Sequence, residues 1–228
     1  MKIDAIIPLR EKDVLNADGS ERFNFKGIPL YEFTLKQIEE SKCIRKVFFA
    51  VDSLSLKRFI RKRCSNVNFI LRPKKFSGEK ITTLDVLSYL IKNKEYNSDG
   101  LDKFAYFEIT HAYRPNGFIK QIIEMSDKND FDSIITTRKV NYNIWTKDNK
   151  NIFQRIKPII EKEDGFHYEE LLGICSIFKI KNFLNENTFG NQVSVISIDN
   201  LWSSIDIRDK KSFDFFVKNI SYLKREFG

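Results

Sequence analysis

The sequence predicts an α/β protein that folds as a single three-layer α/β/α domain around a mostly parallel sheet. Short apolar runs of strand length alternate with amphipathic runs of helical length along most of the chain, which is typical of βαβ units. The chain has 228 residues, of which 42% are hydrophobic and 21 are Phe. That length and composition suit one domain with a sizeable buried core.

The predicted strands are apolar runs bounded by polar or turn residues. In chain order they are Ile3–Leu9, Lys46–Val51, Val67–Leu71, Phe104–Ile109, Ser133–Thr137, Gly173–Lys179 and Val193–Ile198. The predicted helices repeat apolar residues at helical spacing. They are Tyr31–Glu40, Ser53–Lys62, Thr82–Lys92, Pro115–Ser126 and Lys210–Lys224. Ligands of such sheets bind beyond the carboxyl ends of the strands, so the informative loops follow strands one, three and four, together with the loop around Asp206.

One segment, from Val140 to Leu172, interrupts the alternation. It contains Trp145, a polar turn, an amphipathic run over Ile152–Ile160 and a charged stretch. Apolar and aromatic excursions commonly complete an interface or cover a site. The sequence therefore predicts an excursion, about residues 140–172, that forms a homodimer interface or a lid.

Composition argues against several classes of protein. No apolar run approaches the roughly 18 residues of a membrane-spanning helix, and the first apolar run lacks a signal-peptide cleavage site. Cys43, Cys64 and Cys175 are scattered and odd in number, which favours a reducing, cytoplasmic location over a disulfide framework or a zinc site. His111 and His167 have no Cys or His partner at ligand spacing.

The chain is basic, with a net charge of +8 and a pI near 9.2. This balance suits a nucleoside triphosphate, a nucleic acid or an anionic surface, although a coding bias toward Lys explains it equally well. The densest basic cluster, 57–63, lies on a predicted helix whose apolar face includes Leu56 and Ile60. We therefore interpret it as a solvated face and expect no nucleic-acid or membrane partner.

A long polar loop, from Glu11 to Gly27, follows the first strand, and connections of this length tend to be functional. Together with the strand end, it carries four cations that can neutralise a triphosphate and its leaving pyrophosphate. They are Arg10, Lys12, Arg22 and Lys26. The alternative is a mobile surface loop with incidental basic residues.

The most informative stretch follows the third strand and reads L-R-P-K-K-F-S-G-E-K-I-T-T-L-D-V from Leu71 to Val86. It aligns without a gap with R-P-x-x-L-x-x-D-x-x-S-S-x-D-V and therefore resembles the CMP-sugar synthetases, the acylneuraminate cytidylyltransferase family. The resemblance implies a Rossmann-like, GT-A-like nucleotidyltransferase that transfers CMP from CTP to a sialic-acid-like sugar. It also implies that Arg72, Thr82 and Thr83 contact cytosine and ribose.

The first loop resembles the same family at both ends. Ile7-Pro8-Leu9-Arg10 matches the start of I-P-A-R-G-G-S-K-R, and the run from Lys26 to Leu30 is similar to G-K-P-L. The resemblance implies that Arg10 and Arg22 grip the triphosphate. Glu11 and Lys12 replace the family's two glycines, so the phosphate cradle must be built differently.

Two further strand ends resemble the family. Asp52 lies in V-D-S, similar to V-S-T-D-D, where it suits a ribose or a metal; as an alternative, it or Ser53 caps the next helix. After strand four, Thr110 and Arg114 match L-L-Q-P-T-S-P-L-R, which the resemblance places under the sugar and the reacting phosphate. Glu108 replaces the glutamine, so either it turns away or the acceptor offers hydroxyls or an amine.

The last matching block runs from Ser204 to Asp214 and resembles I-D-I-D-T-x-x-D-F, whose acids hold Mg²⁺. Asp206 aligns with the first acid, Arg208 replaces the second, and Asp209 is adjacent. The resemblance thus implies Mg²⁺ at Asp206 and Asp209, although one Asp suffices where phosphate oxygens complete the shell. Asp209 also suits a helix cap. We interpret His111 as a polar loop residue near this site rather than a general base.

Three alternatives to a CMP-sugar synthetase remain. Glu108 and Arg208 favour a cytidylyltransferase with another acceptor, such as a phosphonate or a different keto sugar. The missing glycines and the lost acid favour a catalytically inactive nucleotide-binding module. The basic charge alone favours a nucleic-acid-binding protein, which would bind any polyanion in a salt-sensitive way.

Overall fold

A computed structural model describes residues 2–140, 145–149, 151–155, 167–198 and 201–227. The strands are β1 Ile3–Leu9, β2 Asn24–Phe25, β3 Ile28–Pro29, β4 Ile44–Val51, β5 Asn68–Leu71, β6 Lys103–Tyr106, β7 Ser133–Val140, β8 Trp145–Lys147, β9 Phe153–Arg155, β10 His167–Glu170, β11 Ser176–Lys179 and β12 Val193–Ser197. The α-helices are α1 Glu11–Val14, α2 Leu30–Ser41, α3 Leu54–Arg61, α4 Thr83–Lys92, α5 Phe118–Lys128, α6 Ile180–Leu184 and α7 Lys210–Phe227.

All seven predicted strands and all five predicted helices are found, most of them with shifted ends. The fourth predicted strand ends at Tyr106: the Phe107 N–H still donates to the Ile6 carbonyl of β1, but the Glu108 N–H donates to the Gly173 carbonyl instead. The predicted strand from Gly173 begins only at Ser176, since the Ile174 N–H closes a turn. Helix α5 starts at Phe118 because Gly117 adopts a positive φ of 74°.

The loop after β1 is not the unstructured segment that its polar sequence predicts. It contains α1 and the β2–β3 hairpin. The reason is burial: Val14, Leu15 and Phe23 are each less than 10% exposed and anchor the loop to the domain. In the sequence, these three apolar residues within a polar stretch were the signal that the loop is ordered.

The main sheet is mostly parallel, as predicted. Its core order is β5-β4-β1-β6-β11-β7, in which β5, β4, β1 and β6 are mutually parallel. Strand β11 runs antiparallel between β6 and β7. Strand β7 also pairs with β10 in antiparallel and with β12 in parallel orientation. The parallel strands β1, β5 and β6 therefore bring their carboxyl ends to the same side of the sheet.

Helices cover both faces of this sheet, which confirms the three-layer prediction. Alternate residues of β1 point to opposite faces. Ile7 belongs to one apolar cluster with Leu35 of α2 and Ile122 of α5. Ile6 belongs to a second cluster with Leu87 of α4. No helix among the described residues has the length and apolar character to cross a bilayer.

Helix α7 closes the domain beside the first loop. Phe216 and Ile220 pack in a third apolar cluster with Phe23 of the loop and with Ile207. Ile207 is fully buried, and its N–H donates to the Thr110 carbonyl at 2.9 Å. This packing carries the segment 205–209 to the end of β6.

The excursion contains a separate two-stranded ribbon, β8–β9. Trp145 and Phe153 on this ribbon are 59% and 62% exposed. The predicted amphipathic run Ile152–Ile160 begins in strand β9, and its residues from 156 onward lie outside the described part of the chain.

Candidate active site

Two adjoining cavities open at the carboxyl ends of β1, β5 and β6, where the sequence places the ligand. The first, here called the β1 cavity, measures about 270 Å³ and is lined by Arg10, Arg72 and Thr110 among others. The second, here called the Gly173 cavity, measures about 480 Å³ and is lined by His111, Gly173 and Asp206 among others. Four residues line both cavities and form their shared wall: Thr82, Thr83, Glu108 and Arg208.

Arg72 follows β5 and is the most buried cation of the β1 cavity, with 4% exposure. Its Nη2 donates to the Leu9 carbonyl at 3.1 Å. Its Nε is buried and has no hydrogen-bond partner among the described residues. Burial lowers the pKa of Arg72, an effect that Asp52 opposes. A buried guanidinium with an unused donor is ready to receive an anionic or carbonyl group.

Arg10 follows β1 and lines the same cavity. Its Nε donates to Asp13 Oδ2 at 2.7 Å, and both side chains are only a quarter to a third exposed. Asp13 belongs to α1, so the short helix fixes the guanidinium at the cavity wall.

Asp52 has a different role from the helix cap that the sequence offers. Ser53 is the N-cap of α3 and accepts the Leu56 N–H at 3.0 Å. Asp52 Oδ1 instead accepts the Glu11 N–H at 2.8 Å. The carboxylate thereby holds the start of α1, and it does not line either cavity.

Arg22 and Lys26 also lie outside the two cavity walls. Arg22 Nη1 donates to the Lys12 carbonyl at 3.0 Å, and its Nη2 donates to the Arg208 carbonyl at 3.1 Å. Arg22 therefore joins the first loop to the segment before α7. Lys26 is exposed at the β2–β3 turn with a φ of 51° and lies over the Phe25 ring.

The predicted hydroxyl pair begins α4. Thr82 is its N-cap and forms a capping box with Asp85: each side chain accepts the other residue's backbone N–H, at 3.2 and 2.8 Å. Such a box is encoded by spacing alone, T-x-x-D before an apolar run. Thr83 Oγ1 points the other way and donates to Glu108 Oε1 at 3.4 Å.

Glu108 is the most densely contacted acid of the site. Its Oε1 accepts from the Tyr106 hydroxyl and from Thr83. Its Oε2 accepts from Thr110 Oγ1 at 3.3 Å and from Arg208 Nη2 at 3.0 Å. Burial, followed by the charge of Glu108, raises the pKa of Tyr106 well above its usual range. The carboxylate is thus held in one orientation in the wall between the cavities.

Arg208 contacts two acids of the site, Glu108 and Asp206. Besides its contact with Glu108, its Nε donates to Asp206 Oδ2 at 2.7 Å. Asp206 Oδ1 is buried and has no hydrogen-bond partner among the described residues. His111 is 6% exposed beside them, and burial lowers its pKa. In the sequence, Arg208 stands out only as a replacement for an acid, whereas the structure places its guanidinium between Glu108 and Asp206.

Asp209 lies outside the cavity walls, at the start of α7. Its Oδ1 accepts the Ser212 N–H at 2.8 Å and the Ser212 hydroxyl at 2.8 Å. These two hydrogen bonds, and its position directly before Lys210, make Asp209 a cap of α7. The sequence had left it open whether Asp209 is a helix cap or a metal ligand. The hydrogen bonds with Ser212 lower the pKa of Asp209.

Arg114 does not reach either cavity of the site, although the sequence places it under the acceptor. It is 4% exposed, and its guanidinium donates to the carbonyls of Glu108, Gly173 and Ile174 and to Thr34 Oγ1. Burial lowers its pKa to about 10. Arg114 therefore joins the loop after β6 to the turn before β11, and it supports the site without lining either of its cavities.

Replacing Arg114 by methionine is expected to lower the free energy of unfolding by at least about 3 kcal/mol, because each buried acceptor left without a donor costs ~1–3 kcal/mol. Urea denaturation measures the loss. Arg114→Lys keeps the charge but not the planar donor fork and should lose less. A methionine variant within about 1 kcal/mol of the wild type would contradict the structural role.

Gly173 packs directly against two residues of the site. A Cβ atom there would lie 2.7 Å from Glu108 Cβ and Cγ and 2.8 Å from His111 Cδ2. Gly173→Ala is therefore expected to displace both side chains and to destabilise the protein by ~1–3 kcal/mol, as measured by thermal unfolding. Gly78→Ala is the matched control, since its nearest contact would be an ordinary 3.7 Å. Equal melting temperatures for the two variants would contradict the packing argument.

The geometry can be compared with known proteins. No family model matches the sequence, and no curated protein matches it. Solved structures do match over nearly the whole chain. The CMP:2-keto-3-deoxy-manno-octonic acid synthetase complexed with CTP has a TM-score of 0.68 and 7% identity, covering 98% of this chain and 100% of the other. The chain has the fold of these nucleotidyltransferases.

Two further structures support the same fold assignment. The 4-diphosphocytidyl-2C-methyl-D-erythritol synthase from Anaerococcus prevotii has a TM-score of 0.65 and 13% identity, with 96% and 98% coverage. HddC from Yersinia pseudotuberculosis has a TM-score of 0.58 and 13% identity, with 96% and 99% coverage. At these identities the similarity shows the fold and does not distinguish the acylneuraminate branch from others.

Of the residues predicted from sequence, the structure brings seven to the cavity walls. Six of them line the β1 cavity: Arg10, Arg72, Thr82, Thr83, Glu108 and Thr110. Asp206 lines the Gly173 cavity. Arg22, Lys26, Asp52, Arg114 and Asp209 are placed elsewhere, as described above. His111 lines the Gly173 cavity, near the site as the sequence predicted, and Arg208 lines both cavities, although the sequence marked it only as a replacement for an acid.

Proposed function

We propose that this protein is a cytidylyltransferase that transfers CMP from CTP to a sialic-acid-like keto sugar and releases pyrophosphate. The observation that carries the proposal is Arg72, a buried guanidinium that lines the β1 cavity and whose Nε has no hydrogen-bond partner among the described residues. It stands at the position where the R-P block of the CMP-sugar synthetases reads the nucleoside. The fold, which CTP-using enzymes share, supports the same assignment.

The two cavities suit a nucleotide and an acceptor that meet at the shared wall. The β1 cavity, with Arg10 and Arg72, accepts the cytidine and its triphosphate, and Thr82 and Thr83 lie beside the nucleoside. The Gly173 cavity holds the sugar. A sugar hydroxyl attacks the α-phosphorus in line, the bond to the β-phosphate oxygen breaks, and pyrophosphate leaves with its electron pair.

The protein contributes mainly position and charge to such a reaction. Arg208 lies in the wall between the cavities, where charge develops on the phosphoryl oxygens. Glu170 lines the Gly173 cavity and is an available acceptor for the hydroxyl proton.

The Mg²⁺ implied by the resemblance fits one of its two predicted ligands. Asp206 has a buried oxygen without a partner among the described residues, which suits a cation. Asp209, the other predicted ligand, instead accepts two hydrogen bonds from Ser212 that cap α7. A bound Mg²⁺ would neutralise the phosphate oxygens and polarise the phosphorus, and Asp206 would hold it.

A second candidate acceptor is favoured by the acids of the Gly173 cavity. Glu108, Glu169, Glu170 and Asp206 line it, against one arginine. Glu169 is paired with Arg138 outside the cavity lining, and burial raises the pKa of Glu170. Such walls suit an acceptor that presents hydroxyls or an amine better than one that presents only a carboxylate.

We also propose how the protein assembles and where it acts. The exposed Trp145 and Phe153 of the β8–β9 ribbon are apolar surface of the kind that homodimers cover. We expect a cytoplasmic homodimer that acts on small molecules and not on nucleic acid. Light scattering coupled to gel filtration gives the mass, and Trp145→Ser with Phe153→Ser should yield a monomer if the ribbon forms the interface.

The decisive experiment is calorimetric titration of CTP, UTP, ATP and GTP into the protein with Mg²⁺. It needs no knowledge of the acceptor. We expect selective binding of CTP, after which pyrophosphate release in a panel of carboxylate-bearing and carboxylate-free sugars distinguishes the two acceptor classes. Binding of all four nucleotides alike, or of none, would overturn the cytidylyltransferase assignment.

A further inference from the structure

The Gly173 cavity contains a cluster that brings together two distant parts of the sequence. A ring nitrogen of His111 and carboxylate oxygens of Glu108 and Asp206 all lie within 4.8 Å of one another. This is close enough for one ion to contact all three groups after small side-chain movements. The cluster differs from the Mg²⁺ pair Asp206 and Asp209 that the family resemblance implies.

A second observation points to a ligand at this cluster. His111 is only 6% exposed, and its Nδ1 has no hydrogen-bond partner among the described residues. Asp206 Oδ1 is likewise buried and unpaired within the described part of the chain. Buried polar atoms are normally satisfied, since each unpaired one costs ~1–3 kcal/mol. A cation at the cluster satisfies an imidazole nitrogen and a carboxylate oxygen together.

The remaining contacts keep the ligand groups in place. Arg208 uses Oδ2 of Asp206 and Oε2 of Glu108, which leaves Oδ1 of Asp206 open. Glu108 is held by Tyr106 and Thr83 at its Oε1 and by Thr110 and Arg208 at its Oε2, so an ion there replaces one of the long threonine contacts, at 3.4 and 3.3 Å. Outer hydrogen bonds of this kind orient the ligands of metal sites.

We propose that Glu108, His111 and Asp206 form a binding site for a divalent transition metal, which takes Mn²⁺ in preference to Mg²⁺. Mg²⁺ favours one or two carboxylates, waters and phosphate oxygens over sites built from protein groups alone. An imidazole ligand shifts the preference toward first-row transition metals. The inference rests on the proposed function for the use of the metal in the reaction, but the site itself is present without nucleotide.

The experiment is a titration of Mn²⁺ into the nucleotide-free protein, followed by the electron paramagnetic resonance signal of free Mn²⁺. We expect one bound Mn²⁺ per chain, retained when Mg²⁺ is present at the same concentration. His111→Ala should weaken Mn²⁺ binding by at least about tenfold. His167→Ala, the chain's other histidine, is the matched control and should bind as the wild type does.

Several outcomes would overturn the site: no Mn²⁺ bound by the wild type, unchanged affinity in His111→Ala, or displacement by equal Mg²⁺. Circular dichroism and melting temperature establish that His111→Ala is folded, and Asp206→Asn provides a second variant with a conservative change. Because the readout contains no nucleotide, it separates the two proposals. Mn²⁺ binding without CTP binding supports the metal site and rejects the cytidylyltransferase, and the converse result rejects the site alone.

Discussion

Replacing Arg72 by methionine is expected to weaken CTP binding by at least about thirtyfold while leaving the protein as stable as the wild type or more so. Removing one partner of a buried charged contact costs ~2–5 kcal/mol of binding free energy. In the free protein the balance is different, because burial disfavours the guanidinium charge and lowers its pKa. Methionine fills similar volume and carries no charge to desolvate.

Calorimetry with CTP and thermal unfolding measure the two effects on the same sample. Arg58→Met is the matched control, since it removes the same charge from an exposed position on α3. It should change neither the CTP affinity nor the melting temperature. If Arg72→Met retained full affinity, the nucleoside-binding role of Arg72 would be lost. A large fall in its melting temperature would show instead that the bond to the Leu9 carbonyl holds the fold.

Replacing Asp206 by asparagine is expected to lower CMP transfer by roughly 10²–10³-fold, the range found when one preorganised electrostatic contact to the reacting group is removed. Asparagine has the same shape but no charge, so it holds a cation less tightly and cannot form an ion pair with Arg208. Pyrophosphate release with the acceptor from the sugar panel measures the rate, and the melting temperature should stay close to that of the wild type.

Asp209→Asn provides the matched control for this prediction. Asparagine caps helices about as well as aspartate, and the Asp209 contacts described above are those of a cap. We therefore expect near wild-type stability and activity. A loss of activity in Asp209→Asn as large as that in Asp206→Asn would return Asp209 to the metal site. Full activity in Asp206→Asn would remove Asp206 from the mechanism.

Much of the fold was predictable because its signals are local. The alternation of strand-length and helix-length apolar runs gave the order of layers, and β1 was predicted to the residue. The start of α4 followed from the spacing of Thr82 and Asp85, whose capping box involves only neighbours in the chain. The first loop was harder, because its order comes from three buried side chains that contact distant parts of the domain.

In the site, too, the features with local signals were predictable and the long-range contacts were not. The sequence by itself determined where β1 and β5 end, and it marked Arg72 and Asp206 as residues of interest. Only the tertiary structure decided that Arg72 Nε has no partner among the described residues, whereas Arg114 donates to backbone carbonyls. It likewise joined Glu108 and His111 to Asp206 across almost a hundred positions, 98 from Glu108 to Asp206. Burial and the convergence of distant strands set these outcomes, and neither is written in the spacing of neighbouring residues.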